Sequence, residues 1–147
     1  MRALVPALLA FLAFSATSLP ALAQDIIKTT STKHLGDVFK TEGYAYEVDS
    51  DGDIVWKLEG FKTLILIAKD GESITFRANF ASDNATSEKV AAWNRSKRYS
   101  KSYLDDDNDP VLQLDLDLAG GITRARLNDF LKTCRASLVT WINEVVR

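Results

Sequence analysis

Two runs of aspartates, one histidine, one cysteine and a pair of arginines hold most of the chemistry available to this 147-residue chain. Asp49, Asp51 and Asp53 alternate, as do Asp105, Asp107 and Asp109, and carboxylates at alternate positions can turn toward one hard cation such as calcium. Neither run completes an EF-hand loop. Counted from Asp49, the sixth position is Ile54 where that loop needs glycine, and the twelfth is Gly60 where it needs a bidentate glutamate. Turn preference and solubility account for both runs equally well, so these six aspartates are candidate metal ligands only outside the EF-hand pattern.

A nucleophilic site would have to be assembled around His34, the single histidine, yet no serine or cysteine sits in a strained, glycine-flanked turn. Cys134 shares an apolar stripe with Leu131 and Leu138, which makes it a buried, inert thiol. One histidine and one cysteine cannot furnish a zinc site of ordinary type. Asp115 and Asp117 alternate with leucines and offer carboxylates for acid–base work, without any sign of a cleft. No catalytic residue and no cofactor is therefore expected. Arg124 and Arg126 stand out for another reason. They occupy the first turn of a helix, where the dipole disfavours cations by about 0.3–1 kcal/mol each. Either Asp115 and Asp117 offset them in a structural clip, or the pair contacts an anion or a partner carboxylate.

The elements that must position these residues follow from the apolar period. A short helix, capped by Ser31 or Thr32 and stopped at Gly43, carries Leu35, Val38 and Phe39 on one side. Four strands come next: Tyr44 to Val48, Ile54 to Leu58, Thr63 to Ala68 and Ile74 to Phe80, with Asp51-Gly52 and Asp70-Gly71 at the turns. Thr63 to Ala68 is apolar on both alternating faces, which predicts a central strand covered on each side. A helix is expected from Ser87 to Arg98, then strands Tyr99 to Leu104 and Val111 to Leu118. A last helix begins at the cap Thr123 and buries Leu127, Phe130, Leu131, Cys134, Leu138, Trp141, Ile142 and Val145. The order α-β-β-β-β-α-β-β-α predicts a two-layer α+β domain, one antiparallel sheet packed by helices.

Met1 to Ala23 has the three parts of a cleavable signal peptide: Arg2, an apolar Ala3 to Phe14 broken by Pro6, and small residues at Ala21 and Ala23. A helix through the apolar part would span only about 18 Å, too short for a bilayer of roughly 30 Å. Cleavage after Ala23 would release a periplasmic or secreted chain that does not span a membrane, with residues 24–34 as an N-terminal arm and residues 35–147 as one domain. Losing Arg2 leaves 17 basic against 20 acidic side chains, a formal charge of −3. Lys89, Arg95, Lys97, Arg98 and Lys101, interleaved with Trp93, Tyr99 and Tyr103, imitate a single-stranded nucleic-acid surface. Export and the acidic balance oppose that partner. The sequons at Asn84 and Asn94 carry meaning only in a eukaryotic secretory pathway.

The run Trp93-Asn94-Arg95, then Tyr103-Leu104-Asp105, Asp109-Pro110-Val111-Leu112 and Asp115 to Thr123, resembles the bacterial YbjN family. The similarity reaches back through Gly43-Tyr44, Asp51-Gly52-Asp53 and Leu64 to Ile67, and forward to Phe130, Leu131 and Trp141. The resemblance implies a fold like that of type III secretion chaperones and a role as a sensory-transduction regulator, with no catalytic residue or cofactor. A signal peptide departs from the commoner cytoplasmic members. The expectation is thus an exported, non-enzymatic protein-binding or accessory domain, with strand addition at a sheet edge as one physical route. A homodimer is the expectation carried by chaperones of the similar fold, and the protein partner is unidentified. The alternative is a weak calcium- or small-ligand-binding module using the acidic turns.

Overall fold

The period-two and period-3.6 stretches fold as two layers in a computed structural model that describes residues 25–147. The elements run β1 (Ile26–Ile27), α1 (Thr32–Glu42), β2 (Tyr46–Val48), β3 (Ile54–Leu58), β4 (Phe61–Ile67), β5 (Ser73–Asn79), α2 (Ser87–Ser96), β6 (Lys101–Leu104), β7 (Pro110–Asp117), β8 (Ile122–Thr123) and α3 (Arg124–Trp141). Ile142–Val146 continues α3 as a π-helical turn. Six strands form one antiparallel sheet in the order β2-β3-β4-β5-β7-β6. The α+β class and the order α-β-β-β-β-α-β-β-α around the six-stranded sheet match the sequence reading, with β1 and β8 added to it. The signal-peptide residues expected at 1–23 lie outside the described residues.

Each helix end has a local cause. The Ser31 hydroxyl accepts from the His34 amide and Gly43 takes the left-handed conformation at φ 75°, so α1 is capped at both ends. Thr86 and Thr123 cap α2 and α3 in the same way. The helices lay one apolar face on one side of the sheet. Phe39 meets Tyr44, Tyr46 and Trp56 edge-on, with centroids 5.5, 5.5 and 5.1 Å away, and Trp56 meets Phe76 at 6.1 Å. A second group joins Phe61, Phe80 and Trp141. All eight residues expected on the apolar face of α3 are buried.

Four details differ from the sequence reading. Leu64 and Leu66 lie on the sheet face opposite the helices and are only half-buried, so β4 is covered on one side and not on two. On that open face Leu64 lies among Lys62, Arg77 and Asn79. The expected arm forms β1, which pairs with β8 as a separate two-stranded sheet, and Thr30 donates its amide to the Gly71 carbonyl at 2.8 Å. Strand β2 begins at Tyr46, because the Tyr44 amide is spent on the Phe39 carbonyl in closing α1. Finally, α2 ends at Ser96 instead of Arg98, and β6 starts at Lys101 instead of Tyr99.

The last difference has a cause in side-chain hydrogen bonds. Trp93 Nε1 donates to Ser100 Oγ at 3.1 Å, and the Lys97 ammonium lies 5.0 Å from the Trp93 ring centroid. Residues 97–100 are thereby drawn toward α2 instead of continuing the strand. Ser102, 3% exposed, then locks β6 in place: its hydroxyl donates to the Val111 carbonyl and accepts from Trp141 Nε1 at 2.9 Å. Ser102→Ala would leave the buried indole N–H unpaired, at a cost of about 1–3 kcal/mol. Gly71→Ala would force a side chain at φ 73° against the Thr30 carbonyl, costing more than about 1 kcal/mol. Urea denaturation should show both losses as lower midpoints at unchanged slope.

Candidate binding cleft at the open edge of β7

The short β6 leaves part of β7 without a neighbour. Strand β7 pairs with β5 from Val111 to Asp117, but with β6 only from Pro110 to Gln113. In an antiparallel ladder the backbone groups of successive residues point alternately to the two neighbouring strands. On β7 the even positions face β5, as shown by the Phe80 amide on the Pro110 carbonyl and the Leu118 amide on the Glu72 carbonyl. The odd positions face the other way: Val111 and Gln113 toward β6, Asp115 and Asp117 toward no strand. Among the described residues, no side chain or loop engages the backbone of either aspartate.

A cleft of about 510 Å³ opens on this stretch. Leu114, Asp115 and Phe130 line it, Tyr99 stands at its mouth 74% exposed, and Arg126, Asp129 and Thr133 of α3 form the far wall. Chemically the cleft offers a strand's unpaired donors and acceptors, a patch of buried apolar carbon, and one cation–carboxylate pair on its rim. The outer edge of β6 offers nothing similar. Asn94 Nδ2 donates to the Ser102 carbonyl and Asn94 Oδ1 accepts the Ser102 amide, each at 2.8 Å, so a side chain takes the place of a strand.

The expected site residues fall in different places. Arg126 lines the cleft and pairs with Asp129 at 2.8 Å, whereas Arg124 lies 3.9 Å from Glu42 of α1. The clip to Asp115 and Asp117 does not form. Asp115 accepts from Thr75 Oγ1 and Gln113 Nε2, while Asp117 accepts the Ala119 amide. The helix-dipole cost is offset by carboxylates of α1 and α3 themselves.

The two acidic turns are built alike. Asp49 Oδ1 accepts the amides of Asp51 and Asp53, and Asp105 Oδ1 accepts those of Asp107 and Asp109. Gly52 at φ 88° and Asn108 at φ 63° occupy equivalent left-handed positions. The first carboxylate of each run is thus spent on its own turn. Partial burial, with Asp49 and Asp51 nearby, holds the Asp53 carboxyl above its ordinary value. Among the described residues no three histidine, cysteine or carboxylate side chains converge to hold an ion. The remaining reactive types are likewise occupied. His34 Nδ1 and Thr30 Oγ1 lie 3.0 Å apart, and Cys134 is fully buried with burial pushing its thiol up.

A family model described as "Putative bacterial sensory transduction regulator" matches residues 31–147. The chain belongs to the YbjN family. Among solved structures it is similar to the crystal structure of YbjN from E. coli, titled a putative transcription regulator. The TM-score is 0.59 at 19% identity, covering 73% of this chain and 84% of that one, which establishes a shared fold. No curated protein matches. The family description is that of a regulator.

Sequence reasoning found Arg126 and missed the edge beside it. Expecting β6 to start at Tyr99 placed a strand against Asp115; the tilt of residues 97–100 depends on the contact between Trp93 and Ser100. Arg126→Ala should change unfolding free energy by no more than about 0.5 kcal/mol, since the ion pair is exposed and the dipole opposes it. Cys134 should resist a thiol reagent at pH 8 in the native protein and react fully in urea. Rapid native labelling would show that α3 opens.

Proposed function

We propose that this YbjN domain is a non-enzymatic binding module whose partner is a protein segment, captured as an added strand along Leu114 to Asp117. The supporting observation is the unpaired length of β7, which opens on a cleft at Leu114 and Asp115, beside a β6 edge closed by a side chain at Ser102. Main-chain hydrogen bonds would supply affinity and the cleft walls would supply selectivity. Four residues of strand extend about 13 Å, enough for a short segment and for the backbone groups of Asp115 and Asp117. At about 0.5–1.5 kcal/mol net per hydrogen bond, such a contact suits reversible regulation.

The compartment is part of the same reading. Met1 to Ala23 carries the pattern of a signal peptide, so we infer that the domain works after export, in the periplasm or outside the cell, starting at Gln24. Ion capture by the acidic turns has no observation in its favour, because each turn already uses its leading carboxylate.

Asp115→Pro tests the binding mode directly. It removes an N–H that the fold leaves unused, at a strand position where proline is tolerated because the donor points to an open edge. The variant should remain folded by circular dichroism and lose partner-segment binding in a fluorescence anisotropy titration. Unchanged binding by a folded variant would exclude strand addition at β7. Mass spectrometry of the exported protein should find Gln24 as the first residue, and a retained Met1 to Ala23 would exclude the cleavage.

A further inference from the structure

The strand that β7 accepts has a side-chain pattern, and we infer that it alternates apolar with basic residues. This inference rests on the strand-addition reading above. Residues directly opposite on adjacent strands bring their Cβ atoms to about 4.5–5.5 Å, so the side chains of β7 dictate what an added strand can carry. Leu116 and Leu114 point to the helix layer and are 5% and 1% exposed. An incoming residue on that side meets Leu114 and Phe130 inside the cleft and must be apolar to enter it.

The opposite side differs in charge. Asp115 and Asp117 project from the open sheet face, both exposed. Toward β5 their cross-strand neighbours are the hydroxyl residues Thr75 and Ser73. Thr75 and Gln113 donate to Asp115 and the Ala119 amide donates to Asp117, but none of these donors carries a charge. Among the described residues neither aspartate has an ion-pair partner. Their uncompensated charge faces the side from which a strand would arrive. A lysine or arginine opposite each would supply a cross-strand pair, whereas a glutamate would meet like charge.

The neighbouring row of the sheet face is partly basic, so Asp117, farther from it, carries the charge that an added strand meets most directly. One row of paired residues crosses all six strands as Glu47, Val55, Leu64, Arg77, Gln113 and Lys101. Cations stand at β5 and β6 in that row, which crosses β7 at Gln113, two residues before Asp115. The next same-face position along the line of β6 is Tyr99, and the chain turns toward α2 there.

Three end-blocked peptides alternating valine with lysine, serine or glutamate, each carrying a fluorophore, test the inference by anisotropy with the mature protein. The lysine peptide should bind roughly tenfold tighter than the serine peptide, with the glutamate peptide weaker than both; two cross-strand pairs of about 0.2–1 kcal/mol set that scale. Asp115→Asn with Asp117→Asn should abolish the preference while serine-peptide binding persists. The control Asp106→Asn with Asp107→Asn removes equal charge from an exposed turn and should leave the preference intact. Equal affinity for lysine and serine peptides, or a preference that survives the loss of Asp115 and Asp117, would overturn the basic pattern and leave strand addition standing. Failure of all three peptides to bind would overturn strand addition, and the basic pattern with it.

Discussion

Ser102 is held from three directions, and the architecture around the cleft depends on that grip. Its hydroxyl joins Trp141 of the last helix to the Val111 carbonyl, and its backbone is clasped by Asn94 of α2. One small buried residue therefore ties two helices and two strands at the outer edge of the sheet. A larger side chain would push Trp141 out of the core, and an apolar one would strand its indole N–H in a dry interior. With β6 fixed here and the preceding residues drawn toward Trp93, the length of β7 that stays unpaired is settled by packing some distance from the cleft.

The core divides its work between two aromatic groups. Phe39 and Trp56 anchor α1 over the β2–β5 meander, while Phe61, Phe80 and Trp141 bind the C-terminal helix to the sheet. All three helices lie on one face, which leaves the other for polar and charged side chains in the manner of antiparallel sheets with one solvated side. Asp115 and Asp117 belong to that solvated face, while Leu114 and Leu116 between them belong to the core. The same strand consequently presents two different chemistries to anything that lies along its edge.

Most of this fold was legible in the sequence because it rests on local chemistry. Caps at Ser31 and Thr123, the stop at Gly43, the Asp51-Gly52 hairpin and the stripe on α3 each follow from a residue type at a fixed offset. What resisted reading was set by contacts across the chain. Nothing local in Thr63 to Ala68 separates a strand covered twice from one covered once, because Leu64 and Leu66 are apolar in either case. Arg124 and Arg126 were identifiable as a charge problem at a helix start, but their partners Glu42 and Asp129 lie off the strand expected to answer it. The pairing of Ile26–Ile27 with Ile122–Thr123 joins segments almost a hundred residues apart, beyond the reach of periodicity. The cleft was least legible of all, since it is a gap left by a strand that starts late.

The Asn94 clasp also fixes a number. A sheet with two free edges can recruit neighbours on both sides and propagate, as chains do when they aggregate through unpaired strands. Here the outer edge of β6 is closed at Ser102 by a side chain, which offers an arriving strand nothing to pair with at that residue. The vacancy beside β7 is bounded by Tyr99, Phe130 and the wall of α3, with room for one segment in one register. On the strand-addition proposal this edge would take one strand per copy, and avidity would have to come from the partner or from linking several copies.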